Sequence, residues 1–126
     1  MMLRIESLVK IFGEGSINEK IALNKIDLSL EDGEFVTIIG GNGAGKSTLL
    51  NSISGEYKTD EGRIIVDGID VTYMPEYKRS KYIGRVFQDP LKGTAFDMSI
   101  EENLAIAYAK NQPVTICIHR GRLKHV

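Results

Sequence analysis

The stretch Gly40-Gly41-Asn42-Gly43-Ala44-Gly45-Lys46-Ser47-Thr48 constrains this chain more than any other. It matches the pattern G-x-x-x-x-G-K-[ST]. An apolar run, Phe35-Val36-Thr37-Ile38-Ile39, leads directly into it, and a helix-like segment, Ser47 to Ser54, leads out. Strand, glycine-rich loop and helix in that order form a phosphate-binding device. The glycines let backbone N–H groups turn inward around an anion. The helix N-terminus adds roughly half a positive charge. In such a device Lys46 reaches the outer phosphates and the Ser47 hydroxyl ligates magnesium. The pattern predicts that the chain binds a nucleoside triphosphate.

Composition narrows the alternatives. The 126 residues, 42% apolar and 26% charged, suit one globular domain with its own core. A net charge of -1, with no basic stripe carrying interleaved aromatics, argues against nucleic acid as a partner. Cys117 is the one cysteine, so no internal disulfide forms, which fits a reducing cytosol. No apolar run approaches the ~20 residues that span a bilayer. The N-terminus lacks the charged-then-apolar plan of a secretory signal. Association with a membrane is expected to go through a partner.

Along the chain, Leu3 to Val9 reads as a strand and Phe12 to Glu19 as a turn-rich loop. Ile26, Leu28 and Leu30 alternate with polar residues, the period of a half-buried strand. The run Phe35 to Ile39 is apolar on both faces, as in a strand buried between layers. After the loop, a helix is expected to turn Leu49, Leu50 and Ile53 inward and to stop at Gly55. Asp67-Gly68 joins Arg63–Val66 and Ile69–Val71 in a hairpin. Pro75 suits the first turn of a short helix, and Ile83 to Phe87 reads as a strand ending at Gln88-Asp89-Pro90. Ser99-Ile100-Glu101-Glu102 is a capping box. It starts a helix with Ile100, Leu104 and Tyr108 on one face, ending before Pro113. Val114 to Ile118 reads as a last short strand.

Asn24-Lys25-Ile26-Asp27 has the form of a guanine-recognition motif. It lies a turn and a strand upstream of the loop, and no D-x-x-G occurs in the chain, so it reads as strand residues. The remaining features come in a fixed order. Phe12 precedes Gly40 to Thr48. Then come Leu49 to Gly55, Gly62 to Gly68, Ile83-Gly84-Arg85-Val86-Phe87-Gln88-Asp89-Pro90, and Met98-Ser99-Ile100-Glu101-Glu102-Asn103-Leu104. In order and spacing this resembles the N-terminal half of an ABC transporter ATP-binding domain, over roughly Leu3 to Lys110.

The resemblance implies an α/β fold: a P-loop NTPase (RecA-like) core with a small antiparallel β-subdomain, incomplete at the C-terminus. It divides the chain into residues 1–112, the N-terminal part of such a domain, and a divergent tail, 113–126. It implies ATP and Mg2+ as ligands. Phe12 stands where the family stacks an aromatic on adenine. Gly40, Asn42, Gly43, Ala44, Gly45, Lys46, Ser47 and Thr48 form the Walker A cradle. Gln88 stands at the Q-loop position, where its side chain and Ser47 meet magnesium. The partners implied are a transmembrane permease subunit and a second ATP-binding subunit in a head-to-tail dimer. The location implied is the cytoplasm, at the membrane through a partner.

Four elements that the family uses for hydrolysis are not found: the Leu-Ser-Gly-Gly-Gln signature, the apolar strand ending in Asp-Glu, the D-loop and the switch histidine. Ile64-Ile65-Val66-Asp67 has Gly68 where the glutamate belongs, Ser54 ends the loop's own helix, and His119 follows Cys117-Ile118 without the intervening segment. Whether the chain hydrolyses ATP, or only binds it, or is a remnant, is left open by these residues. In the family the aspartate-bearing strand lies near the phosphate-loop strand. Without it, Phe35 to Ile39 is expected to present an apolar flank with unpaired backbone groups, and the isolated chain to be marginally stable or self-associating.

Overall fold

The alternation Leu3-Arg4-Ile5-Glu6 buries one face and exposes the other, and it opens the first strand of the sheet. In a computed structural model, which describes residues 2–87 and 89–109, β1 spans Leu3–Phe12, β2 Lys20–Leu30, β3 Glu61–Val66 and β4 Ile69–Asp70. They form one antiparallel sheet in the order β2-β1-β3-β4. The phase of β1 breaks in its middle, since Leu3 and Ile5 are buried and so are Leu8 and Val9. The break is a bulge at Ser7 (φ 46), whose N–H donates to Asp27 Oδ1 at 2.7 Å. This is what Asp27 does: it holds β1 to β2. Gly62 of β3 crosses the bulge closely. A Cβ there would lie 2.5 Å from the carbonyl oxygens of both Glu6 and Ser7, so a side chain is excluded. At the β3–β4 turn Asp67 and Gly68 both have positive φ, 47° and 76°, the mark of a tight hairpin.

The helix after the glycine loop, α1, spans Lys46–Ser54. Leu49 joins Leu3, Ile5, Leu8, Leu23, Ile64, Val66 and Val71 in the core, and Ile53 packs against its edge. Leu50 does not turn inward as expected and is 54% exposed. It sits about 100° around the helix from Leu49, off the stripe that Leu49 and Ile53 share. Serine, threonine and asparagine make up much of α1, and a helix this short is not stable by itself. Its rear end is therefore anchored from outside. Gly55 adopts a left-handed conformation (φ 92) and donates its N–H to Asn51 O.

A short helix, α2 (Glu76–Arg79), starts after Pro75 and delivers Arg79 beneath α1. Arg79 is 2% exposed. Its Nη1 donates to the carbonyls of Ser52 (2.7 Å) and Ile53 (2.9 Å), its Nη2 to Thr72 O (2.8 Å) and its Nε to Met74 O (2.7 Å). The first two are carbonyls that the end of a helix leaves unsatisfied. Burial lowers the guanidinium pKa and the charge of Asp70 opposes that, yet an arginine stays cationic at neutral pH. Arg85 adds a second brace, bonding Ser54 Oγ, Glu56 Oε2 and Asn51 Oδ1.

Two expected strands are absent. Phe35–Ile39 and Ile83–Phe87 have no strand conformation. Phe35 is 92% and Ile39 90% exposed, so the run is not buried between layers, and its apolar flank is open as the resemblance implied. A strand exists only through bonds to a neighbour, and among the described residues none pairs with either run.

The chain divides into two units, Met1–Arg85 and Val86–Val126. In the second, Asp89 accepts from Leu91 N (3.0 Å) at the start of a 3-10 turn, Pro90–Gly93. The capping box closes as expected: Ser99 N donates to Glu102 Oε2 (2.8 Å) and Glu102 N to Ser99 Oγ (3.2 Å). It starts α3, Ile100–Ala109, and the Asn103 side chain ties that helix to the backbone of Ala95, Met98 and Ser99. The face carrying Ile100, Leu104 and Tyr108 is exposed rather than packed, and no residue of α3 is buried. Residues 110–126, and with them Val114–Ile118 and His119, lie outside the described residues. Among the described residues no helix is long and apolar enough to cross a membrane.

Candidate functional site

Two pieces of the first unit meet at the front of α1. One is the β1–β2 hairpin, whose register sets Phe12 opposite Lys20. The other is the glycine loop. Together they enclose a hollow of about 260 Å³, lined by Phe12, Lys20, Ala22 and residues 42–48. Phe12, Asn42, Gly43, Ala44, Gly45, Lys46, Ser47 and Thr48, all singled out in the sequence, thus share one cavity. Gly40 is not on its wall. It works beside it, lending its carbonyl to Lys46. Gln88 lies outside the described residues.

The loop conformation depends on two glycines with positive φ, Gly43 (80°) and Gly45 (86°). At Gly45 a Cβ would come 2.6 Å from the Ala22 carbonyl, so this residue sets how closely loop and β2 approach. Gly45 is also the residue at which α1 begins. No side chain caps that end, and no acid stands in its first turn. The leading N–H groups of α1 thus face the hollow without a side-chain acceptor, where the helix dipole is positive. Lys46 Nζ donates to Gly40 O (2.6 Å) and Gly41 O (2.7 Å), so its ammonium is pinned across the loop. An exposed Ser47 contributes a hydroxyl to the wall.

Phe12, at the end of β1, closes one side of the hollow. Its ring meets Tyr57 edge-on, with centroids 5.3 Å apart and planes at 83°. Lys10 Nζ sits 5.5 Å from the ring centre, held by both Asp60 oxygens at 3.1 Å. The motif pattern carries no sign of these supports, nor of Lys20 and Ala22: the last two are placed by hairpin pairing across a seven-residue loop, and Tyr57 and Asp60 by the segment between α1 and β3.

The residues present fit a polyphosphate: positive-φ glycines, an uncapped helix start and two lysines in the lining. For magnesium the fit is narrower. Among the described residues no three Asp, Glu, His or Cys side chains gather to hold a metal. The Ser47 hydroxyl is one oxygen donor on the wall, beside those of Asn42 and Thr48, and phosphate oxygens would complete the shell.

A family model described as ABC transporter matches residues 23–126. The chain belongs to the ABC transporter family. Within that family, the tyrosine transport ATP-binding protein of Clostridioides difficile is 45% identical over 111 residues, 88% of this chain and 44% of that protein. An ABC transporter cassette solved in its ADP conformation is 41% identical, with a TM-score of 0.64 over 73% of this chain and 35% of its own. A dimeric bacterial ABC transporter cassette is 28% identical, with a TM-score of 0.75 over 92% of this chain and 50% of its own. The chain therefore has the α/β fold of the P-loop NTPase cassettes and corresponds to the family's ATP-binding component. It spans less than half the length of the curated relative and half or less of the two cassettes.

Proposed function

We propose that this chain binds Mg-ATP in the hollow between Phe12 and the loop Gly40–Thr48, and that the ATP it holds energises transport by an ABC transporter. One observation carries the reading: the aromatic end of β1, the glycine loop and the bare front of α1 line a single cavity. Adenine stacks on Phe12. The phosphates lie against the N–H groups of residues 43–48. Lys46 exchanges its bonds to Gly40 and Gly41 for the outer phosphates. Ser47 and Gln88 would hold the magnesium, which would neutralise phosphate charge. A transmembrane permease subunit is the partner for coupling, and a second ATP-binding subunit is the partner for a head-to-tail dimer. Both place the protein on the cytoplasmic side of a membrane.

No carboxylate lines the hollow among the described residues. These residues therefore account for holding ATP, while polarising an attacking water needs a group from elsewhere. The deciding experiment is calorimetric titration of the folded chain with Mg-ATP, beside Lys46→Ala. Saturable binding that weakens at least about tenfold in the variant, about 1.4 kcal/mol, is expected. A folded chain that ignores Mg-ATP, or a variant that binds equally well, refutes the proposal.

A further inference from the structure

Three lysines stand around the hollow, and they are engaged differently. Lys10 is neutralised by Asp60. Lys46 is bonded to two loop carbonyls. Lys20 lines the cavity and is exposed, and its side chain makes no hydrogen bond or ion pair among the described residues. Its Nζ reaches within 3.8 Å of where a Cβ on Gly43 would stand, at the middle of the loop. Its Cα is the cross-strand partner of Phe12. Lys20 thus has its backbone at the aromatic end of the cavity and its charge at the phosphate end.

We propose that Lys20 is a further nucleotide-binding residue, whose ammonium pairs with the phosphates nearest the base. The proposal rests on the reading that the hollow holds Mg-ATP. Lys46 lies at the helix end of the loop and serves the outer phosphates. Lys20 approaches from β2 at Gly43, in the stretch of loop whose N–H groups cradle the inner phosphates, so its contact falls on the part of the ligand that ATP and ADP share. A flexible ammonium without a partner is a point charge that needs no existing bond broken before it engages an anion. The bond gained is charge-assisted and sits at a solvent-accessible rim, so its contribution is modest and sensitive to salt.

The test uses the full chain with Lys20→Met and Lys20→Arg. Mg-ATP, Mg-ADP and adenosine are each made to displace a fluorescent ATP analogue, and a thermal melt verifies folding. Lys20→Met is expected to weaken ATP and ADP by the same factor, about fivefold, with adenosine unchanged and a shallower dependence on NaCl. Lys20→Arg is expected to restore most of the loss. Unchanged ATP and ADP affinities overturn the proposal. So does a loss confined to ATP, which would put the charge at the outer phosphate, or an equal loss for adenosine, which would put it at the base. If the folded wild-type chain binds none of the three, the reading of the hollow fails as well. If it binds and Lys20→Met is silent, only the assignment of Lys20 fails.

Discussion

At its C-terminal end, α1 is gripped by Gly55, Arg79 and Arg85, which engage Asn51, Ser52, Ile53 and Ser54. At its N-terminal end it has Gly45, no cap and no acid. A short helix of poor formers would ordinarily be strengthened at both ends, and a serine or aspartate cap contributes about 1 kcal/mol. Here the front carries nothing that would compete with an incoming anion for the first N–H groups. The difference teaches a division of labour within one helix. The rear supplies stability while the front stays without a cap.

That contrast can be broken at the rear. Arg79→Met keeps much of the apolar stem but leaves the carbonyls of Ser52, Ile53, Thr72 and Met74 without their donor. A loss of about 3 kcal/mol in urea unfolding is expected. Lys46→Ala, at the front, should move the same curve by less than about 0.5 kcal/mol. Equal losses from the two would erase the distinction. Gly55→Ala is a milder blow, since its Cβ would meet Arg79 Nε at 2.8 Å in a left-handed backbone. About 1–2 kcal/mol is expected from strain and the displaced guanidinium.

The smallest effect is a pH dependence. The hydroxyl of Thr72, and then its N–H, bond to Asp70 and hold that carboxyl below its ordinary 3.8. A depressed carboxyl stabilises the fold above its unfolded value, and the contribution is lost as pH falls through the folded one. Because Thr72 also accepts from Arg79, acid titration of Asp70 loosens the rear brace. Stability should decline below about pH 4, and Thr72→Val should flatten that decline. Melting temperatures across this range measure both.

Much of this was legible beforehand. The glycine loop, the Asp67-Gly68 turn, the Ser99–Glu102 box and the Gly55 stop are local devices, each decided by a few adjacent residues. Phe35–Ile39 has a strand's pattern without a strand's structure, because the pattern is local while the pairing is not. Leu50 and the α3 face differ from expectation for a related reason, since periodicity gives a stripe and not what covers it. At the site, the sequence supplied the loop and Phe12. It was silent on Lys20 and Ala22, which reach the cavity through register across β1 and β2, and on Tyr57, which the segment after α1 brings against the Phe12 ring. Arg79 also went unremarked, because nothing in Tyr77-Lys78-Arg79-Ser80 says which of its two cations is buried.

The bare ribbon from Phe35 to Ile39 ends one peptide bond before Gly40. Any partner that sat on that ribbon would touch the tether of the glycine turn, and whatever change it made to the grip on an anion, of either sign, the anion would return to its affinity by the same factor.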